Sequence, residues 1–269
     1  MNKQTLEMLH TTEYEILCAL DDYCTKHGIH YLLYAGTLLG AIRHKGFIPW
    51  DDDVDVAMTR ENYVKFYNCI SKEPISGYFF ESFISEKECG ISHGKLRKIG
   101  TVMLQDGEDE STGHHEIFID IFPLDKVSND REKAAITKRI GKRIVMLTRA
   151  NVNMLSDSII KKAIRRLYRC IPSGRRQEKL LHYAKQLQTL DVQISENYQW
   201  TSMSTLKNIE VIRFPKEMLE RYVTVEFNGR NFSTVEDWNG MLTLLFGDYM
   251  LLPPESERVC KHNPIKVEF

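Results

Sequence analysis

The sequence lacks the features that mark several classes of protein. Its six cysteines include no Cys-x-x-Cys pair, so neither a zinc ribbon nor a dense disulfide framework is expected. No run of about eighteen apolar residues could form a membrane-spanning helix, and residues 1–10 contain no apolar core of a signal peptide. The formal net charge of −1 offers no strong attraction to nucleic acid. We therefore expect a cytoplasmic protein with reduced thiols that does not bind nucleic acid.

The 269 residues have the composition of a globular chain, with 42% hydrophobic and 27% charged residues. Helical apolar spacing predicts a helix over residues 4–27 that stops at Gly28, and another over residues 60–71. Short apolar or β-branched runs predict strands over residues 30–34, 54–58, 78–83, 95–98 and 116–122, with Pro123 closing the last one. A capping-box pattern over residues 233–236 predicts a helix that runs to Phe246 and stops at Gly247.

The order of these elements predicts the fold class. From residue 130 to about residue 190, helix formers dominate, and Lys and Arg outnumber Asp and Glu. We predict an α+β fold in which a mixed β-sheet core is flanked by helices and carries a basic helical insert. The core would occupy residues 1–130 and the insert residues 131–195, and a C-terminal mixed region over residues 196–269 would complete the core domain.

The most informative local feature is the acidic run Asp51-Asp52-Asp53-Val54-Asp55. Because residues two apart in a strand point to the same face, Asp53 and Asp55 should project side by side. Paired carboxylates repel each other unless a cation neutralises them, and Mg²⁺ prefers such hard oxygen ligands. Asp51 and Asp52 are expected to shape the turn instead.

A third acid, Asp120, lies in an apolar strand between Ile119 and Ile121. A carboxylate in that setting is costly unless it is paired or binds a metal. We therefore expect Asp120 to complete a magnesium site with Asp53 and Asp55.

Other proteins contain similar acidic strings. An EF-hand would require glycine and glutamate at the positions that hold Val56 and Asn62, so it does not fit. An aspartate-nucleophile phosphatase would require an apolar strand directly before the acids, where Pro49 and Trp50 occur instead. The Asp-x-Asp motif of glycosyltransferases stays open, although it normally follows a larger nucleotide-binding half.

A glycine-containing turn over residues 36–40 precedes the acidic run. Glycine at the start of a helix lets backbone N–H groups approach a phosphate, and the helix dipole favours the anion. We predict that Gly36 and Thr37 contact a substrate phosphate. The string is neither a Walker loop nor a dinucleotide fingerprint, so its weight comes from its position before the aspartates.

A glycine turn that opens a helix, an Asp-x-Asp strand and a third carboxylate on another strand resemble the pattern of the nucleotidyltransferase superfamily. More narrowly, the chain resembles the LicD family of phosphocholine transferases. The strings that carry this resemblance are Tyr34-Ala-Gly-Thr-Leu-Leu-Gly-Ala-Ile-Arg-His44, Gly46-Phe-Ile-Pro-Trp-Asp-Asp-Asp-Val-Asp55, Ile119-Asp-Ile-Phe-Pro-Leu-Asp125 and Phe246-Gly-Asp-Tyr-Met-Leu-Leu-Pro-Pro254. Thr37, in place of serine or glycine, and the long stretch before Asp53 depart from the broad superfamily. Both are features of the LicD branch, and they argue against nucleotide transfer.

The resemblance implies a nucleotidyltransferase-like core and magnesium-dependent transfer of phosphocholine from CDP-choline to a glycan hydroxyl, with release of CMP. The acceptor would be a cell-surface glycan precursor, such as a teichoic acid unit or a lipopolysaccharide sugar. The family also covers other alcohol phosphates, including ribitol phosphate, from a CDP-linked donor. Asp53 and Asp55 would hold one or two Mg²⁺ ions, with Mn²⁺ as an alternative. Asp120 would bind metal or take the proton of the acceptor hydroxyl.

Six further side chains are candidate substrate contacts, namely Arg43, His44, Trp50, Lys95, Arg97 and Tyr249. The cationic ones would contact donor phosphate, arginine through bidentate hydrogen bonds. Trp50 would stack on cytosine or surround the choline ammonium by cation–π attraction. Loop packing or simple solvent exposure is the competing interpretation for these residues. His93, His114 and His115 fit no metal-ligand spacing, so a surface or structural role is expected for them.

The basic segment over residues 138–176 combines pairs of Lys and Arg with apolar residues at helical spacing. It would form either solvated helix faces or a patch that docks on anionic lipid or on a lipid-linked glycan acceptor. Docking would place the protein at the inner face of the cytoplasmic membrane. Two other functions stay open, a true nucleotidyltransferase and a catalytically idle metal-binding or scaffolding relative. The complete set of acids argues against the idle relative.

Overall fold

The computed structural model describes residues 1–105, 113–150, 159–205, 212–260 and 264–269. Its helices are α1 (Lys3–His27), α2 (Ala35–His44), α3 (Arg60–Ile70), α4 (Arg131–Arg149), α5 (Ile159–Arg169), α6 (Ser173–Gln193) and α7 (Trp238–Phe246). Its strands are β1 (Leu32–Leu33), β2 (Asp55–Thr59), β3 (Tyr78–Ser82), β4 (Gly94–Lys98), β5 (Val102–Leu104), β6 (Phe118–Ser128), β7 (Tyr198–Ser202), β8 (Phe214–Pro215), β9 (Tyr222–Phe227), β10 (Arg230–Val235) and β11 (Lys266–Glu268).

Seven of the described strands form one mixed sheet around β6. Five of them follow the order β1-β2-β6-β4-β3, in which β2 and β6 are parallel and the other pairs are antiparallel. Leu124 of β6 pairs with Thr59 of β2 on one edge and with Ser202 of β7 on the opposite edge. Strand β4 also pairs with that opposite edge, so β4 and β7 lie one after the other along it. This architecture confirms the predicted α+β class with a mixed sheet.

The first helix follows its predicted limits closely. Asn2 caps α1 by accepting a hydrogen bond from the Thr5 N–H at 2.8 Å. Gly28 ends the helix in the left-handed conformation, with φ of 60°. The fully buried residues of α1 form a stripe at helical spacing that consists of Leu9, Ile16, Leu17 and Leu20.

The central strand β6 continues well past Pro123, whereas we predicted that this proline would end it. The Asp120 N–H donates to the Val54 carbonyl on the β2 side at 2.8 Å. Because N–H groups alternate along a strand, the position of the missing Pro123 donor faces the opposite edge. On that edge, pairing with β4 ends at Ile121 and pairing with β7 begins at Leu124. Pro123 therefore lies between two partner strands and interrupts neither ladder.

The C-terminal region contains a hairpin where we predicted the start of a helix. The proposed capping box at Ser233 is wrong, because residues 233–235 belong to β10 and pair with β9. Asn228 and Gly229 form the turn with positive φ values of 49° and 79°, and this dipeptide is typical of tight hairpin turns. The helix α7 begins later, and Gly247 ends it as predicted.

The region that we predicted to be a helical insert contains α4, α5 and α6, and its separation from the core as an insert stays a prediction. Helices α4 and α6 bury an apolar cluster that is distinct from the main core and includes Ile140, Ile144, Leu147, Leu180, Ala184 and Leu187. Phe83, directly after β3, joins this cluster and connects it to the sheet. Part of the basic segment, residues 151–158, lies outside the described residues. None of the described helices is long and apolar enough to cross a membrane.

Candidate active site

Three charged side chains lie in one row across the sheet. Asp55 begins β2, and the parallel pairing places it beside Asp120 of β6, which is also the register partner of Lys95 in β4. Register partners on neighbouring strands lie about 4.8 Å apart and share a face of the sheet. The Lys95 Nζ lies 3.7 Å from Asp120 Oδ1. The structure therefore brings together three of the residues predicted from sequence.

The acidic run divides into two buried and two partly exposed carboxylates. Asp53 and Asp55 are partly exposed, whereas Val54 between them is 1% exposed, which is the alternation we predicted. Asp51 and Asp52 are buried, at 7% and 1% exposure. Asp53 and Asp55 are therefore the members of the run that a ligand in solvent can reach.

Gly36 and Thr37 hold the acidic run in place. The Thr37 side chain is buried, and its Oγ1 accepts a hydrogen bond from the Asp55 N–H at 2.8 Å. A Cβ atom at Gly36 would lie 2.6 Å from Asp51 Oδ2, so glycine makes room for that carboxylate. The helix α2 already begins at Ala35, before the predicted turn. These contacts give both residues a positioning role, and their predicted phosphate contact stays a prediction.

His93 is a close neighbour of Asp120, although we expected a surface or structural role for it. Its Nε2 lies 2.9 Å from Asp120 Oδ1, and its ring packs on Phe122 with centroids 4.7 Å apart. The buried Nδ1 has no hydrogen-bond partner among the described residues. A proton on Nδ1 would be a buried donor without an acceptor, so we place the proton on Nε2, which donates to Asp120. The sequence contained a signal for this contact, because His93 lies two residues before Lys95 and residues two apart in a strand share a face.

Arg97 lies near Lys95 but has different surroundings. Its Nε donates to Glu81 Oε2 at 2.6 Å, and its Nη1 donates to the Glu116 carbonyl oxygen at 2.7 Å. The side chains of Arg97 and Glu81 are only 7% and 9% exposed. Removing either partner would leave a buried charge uncompensated. These contacts favour a structural role for Arg97 over the diphosphate contact that we predicted.

The middle of α1 contributes two residues that the sequence interpretation missed. His10 donates from Nε2 to the Asp51 carbonyl oxygen at 2.7 Å. Glu13 is 1% exposed, and its Oε2 has no hydrogen-bond partner in the described part of the chain. Burial raises the pKa of Glu13 well above its ordinary value, and the charges of Asp53 and Asp52 raise it further. A charged residue inside the buried stripe of α1 was the signal that could have identified Glu13.

Four of the predicted substrate contacts lie together near the end of α2. Arg43 Nε donates to His44 Nε2 at 3.0 Å, and Arg43 Nη1 donates to the Tyr249 carbonyl oxygen at 2.9 Å. The rings of His44 and Trp50 meet edge to face, with centroids 6.2 Å apart. The guanidinium of Arg258 lies 5.6 Å from the centroid of the Trp50 ring. The contact of Trp50 with cytosine or choline stays a prediction, and in the structure this ring already contacts a cation.

The carboxylates have the donor chemistry that Mg²⁺ requires. Among the described residues, no group of three or more His, Cys, Asp or Glu side chains is arranged to hold a metal by itself. Mg²⁺ usually takes only one or two protein carboxylates, with water and substrate phosphates as its other ligands. The adjacent Asp55 and Asp120, with Asp53 two residues before Asp55, fit that requirement.

Comparison with known proteins relates this arrangement to a family. Residues 28–145 match the family described as LicD/FKTN/FKRP, nucleotidyltransferase domain. The lipopolysaccharide cholinephosphotransferase LicD of Haemophilus influenzae is 30% identical over 270 residues, which cover 97% of each chain. The chain belongs to the LicD family. Uncharacterised proteins of Rickettsia typhi and Rickettsia prowazekii are 37% and 35% identical over 65 residues, which cover 24% of this chain and 21% and 24% of theirs.

The part of the chain that matches the LicD family domain includes the row of charged residues. Asp55, Lys95 and Asp120 all lie between residues 28 and 145. Arg43 and Trp50 also lie there, whereas Arg258 lies only within the nearly full-length match to the Haemophilus protein. The aspartate row therefore lies wholly within the matched family domain, whereas the cluster at the end of α2 also includes a residue from outside it.

Proposed function

We propose that this LicD-family protein transfers phosphocholine from CDP-choline to a hydroxyl group of a cell-surface glycan precursor and releases CMP. The observation that carries the proposal is the row of Asp55, Asp120 and Lys95 on one face of the sheet. Family membership makes the chain a phosphotransferase, and its Haemophilus relative is named as a lipopolysaccharide cholinephosphotransferase. The acceptor would be a lipid-linked lipopolysaccharide sugar or teichoic acid unit.

The reaction is a displacement at the phosphorus that carries choline. The acceptor hydroxyl oxygen forms a bond to this phosphorus, the bond from phosphorus to the CMP oxygen breaks, and CMP leaves. One or two Mg²⁺ ions, or Mn²⁺, would neutralise the charge of the diphosphate. Asp53 and Asp55 would provide partly exposed carboxylates for this binding. Asp120 would complete the ligand set or accept the proton that the hydroxyl loses.

His93 and Lys95 would orient the Asp120 carboxylate for either role. The Nε2–H of His93 and the ammonium group of Lys95 both approach the same oxygen, Oδ1. A hydrogen bond from His93 and an ion pair with Lys95, both at Oδ1, restrict the rotation of the carboxylate plane. We therefore assign His93 and Lys95 as positioning residues.

The direct test supplies the purified protein with CDP-choline, Mg²⁺ and candidate glycan acceptors, and follows CMP and the phosphocholine-bearing glycan by mass spectrometry. Asp53→Asn and Asp120→Asn are each expected to lower kcat by about 10²–10⁴-fold. Asp130→Asn is the matched control, because Asp130 caps α4 and asparagine caps a helix equally well. The control should keep full activity, and chelation of Mg²⁺ should abolish turnover by the unmodified protein.

The other outcomes separate the alternatives. Transfer from CDP-ribitol but not from CDP-choline would keep the reaction type and change the alcohol. Attachment of the nucleotide to the acceptor, without release of CMP, would indicate a true nucleotidyltransferase. Full turnover in both aspartate variants would refute the roles assigned to these carboxylates.

The basic insert supports docking on an anionic membrane leaflet, where a lipid-linked acceptor would be available. The helix α5 has five Lys and Arg residues and no Asp or Glu, and its Leu167 is 71% exposed. An apolar side chain beside several cations suits the interface of an anionic bilayer. The protein should sediment with vesicles that contain anionic lipid and not with neutral vesicles. Equal recovery with both would contradict docking.

A further inference from the structure

The cluster at the end of α2 contains two arginines from distant parts of the chain. Arg43 lies in the last turn of α2, and Arg258 follows a short 3₁₀ turn near the C-terminus. His44 and Trp50 lie between them. His44 contacts both Arg43 and Trp50, and the Arg258 guanidinium lies over the face of the Trp50 ring.

Backbone carbonyl groups hold both guanidinium groups in place. Arg43 Nη1 donates to the carbonyl oxygens of Tyr249 and Leu251, at 2.9 and 3.4 Å. Arg258 Nε donates to the Pro253 carbonyl oxygen at 2.9 Å. A guanidinium has five N–H donors, so these bonds orient each side chain and leave donors for a ligand. The C-terminal string that resembles the LicD family thus serves to orient cations.

The positive charge of this pair is not balanced by an ion pair in the part of the chain that the structure describes. Neither arginine has a carboxylate oxygen within 4.0 Å there. Partial burial lowers the pKa of Arg43, and the charge of Arg258 lowers it further, while Asp51 acts in the opposite direction. Two oriented cations that repel each other are expected where an anionic ligand compensates them.

The cluster also lies beside the aspartates. Trp50 directly precedes Asp51 in the chain, and Cys260 follows Arg258 by two residues. Burial raises the pKa of the Cys260 thiol, and the charges of Asp52 and Asp51 contribute to the rise. The segment that carries Arg258 therefore passes close to Asp51 and Asp52, the first two acids of the run.

We propose that Arg43 and Arg258 form a binding site for a phosphate group of the substrate, at the end of the acidic run that begins with Asp51. The planar forks of two arginines match the oxygens of a phosphate, and Trp50 supports one of them through cation–π contact. This inference rests on the proposed function, because a diphosphate donor and a phosphate-bearing acceptor are its natural ligands. It adds Arg258, which the sequence interpretation did not include.

The test measures binding without turnover. Isothermal titration with CDP and Mg²⁺ is carried out on the full chain, on Arg43→Gln and on Arg258→Gln. Each variant is expected to weaken CDP binding by about 10- to 100-fold, the value of a charged hydrogen-bonded contact. Arg221→Gln is the matched control, because Arg221 is 79% exposed and pairs only with Glu236 in the described structure. Arg258→Lys should bind CDP more tightly than Arg258→Gln but less tightly than the unmodified protein, since lysine keeps the charge but lacks the planar set of N–H donors.

A second measurement separates binding from a structural role. Removing one of two mutually repelling cations should offset the loss of its backbone hydrogen bonds, so the melting temperature of the ligand-free protein should change little. A structural arginine would lower it. Weaker CDP binding with an unchanged melting temperature therefore supports the proposal, and a fall in melting temperature with CDP affinity retained overturns it.

Further measurements show whether the bound phosphate belongs to the donor or to the acceptor. They also separate a failure of this inference from a failure of the proposed function. The arginine variants could bind CDP normally but show a raised KM for a phosphate-bearing acceptor. If phosphatase treatment of that acceptor removed this difference in KM, the site would be assigned to the phosphate of the acceptor. No change in either quantity would overturn the inference while leaving choline transfer intact. Binding of inorganic pyrophosphate that depends on Arg258, in a protein that neither binds CDP nor turns over CDP-choline, would support the site and refute the proposed function.

Discussion

Replacing Asp125 with asparagine should destabilise the protein without touching the candidate active site. Asp125 lies in the same strand as Asp120 but forms a buried bidentate pair with Arg60. Arg60 Nε and Nη2 donate to Asp125 Oδ1 and Oδ2, each at 2.8 Å. The two side chains are 5% and 2% exposed. The variant would keep the shape of the side chain and direct an amide group, without charge, at the guanidinium.

The magnitude follows from the burial of the pair. Burial by itself would lower the pKa of Arg60, and the charge of Asp125 more than offsets it, so that this pKa is raised. Removing one partner of such a pair costs about 3–5 kcal/mol, because the other charge stays buried. The charge of Asp191 also acts on Arg60, which places the expected loss near the lower limit. A loss of about 3 kcal/mol corresponds to a fall in Tm of about 6–12 °C for a chain of this size.

The assay is urea unfolding followed by circular dichroism, with Asp120→Asn as the matched variant in the same strand. Asp120→Asn weakens the contacts with His93 and Lys95 but relieves the repulsion with Asp55, so we expect it to remain within about 1 kcal/mol of the unmodified protein. The double variant Arg60→Met, Asp125→Leu should recover part of the loss, since it removes both charges. If Asp125→Asn unfolded at the same urea concentration as the unmodified protein, the structural assignment of this pair would be refuted.

Two further predictions concern the fold. At Gly40 a Cβ atom would lie 2.4 Å from the Gly46 carbonyl oxygen, so Gly40→Ala should cost about 1–3 kcal/mol. Gly174→Ala, whose Cβ meets nothing within 4 Å, should be neutral or slightly stabilising in the same unfolding assay, and equal effects would contradict this reasoning. Burial, followed by the charge of Asp125, raises the pKa of Asp191 from 3.8 to about 6. This carboxyl therefore costs no stability below about pH 4, and the cost grows as the pH rises to about 6. Asp191→Asn should remove the cost and stabilise the protein above about pH 6 by up to about 3 kcal/mol; an advantage that does not grow between about pH 4 and pH 7 would contradict the assignment.

The elements that were predicted correctly depend on short-range patterns. The limits of α1 follow from the Asn2 cap, the apolar spacing and the Gly28 stop, all of which act within a few residues. The alternation of Asp53, Val54 and Asp55 likewise requires only the period of a strand. Such features can be predicted because neighbouring residues alone determine them.

The C-terminal hairpin shows where local patterns conflict. Residues 233–236 have the form of a capping box, and residues 233–235 nevertheless form the end of β10. The Asn228-Gly229 pair was the stronger local signal, because both residues adopt positive φ at low cost. The structure resolves the conflict by burying Phe232 and Val235 in the main core, which requires the strand.

The sequence by itself identified the candidate residues for the chemistry, namely the acids of the run and Asp120 in its apolar strand, and the strings that resemble the LicD family. Only the tertiary structure decided the partner of each one. It placed Asp120 between Asp55 and Lys95, and it paired Arg97 with Glu81 inside the protein. The physical reason is that strand register and burial arise from contacts between segments far apart in the chain, and no spacing within a single segment encodes them.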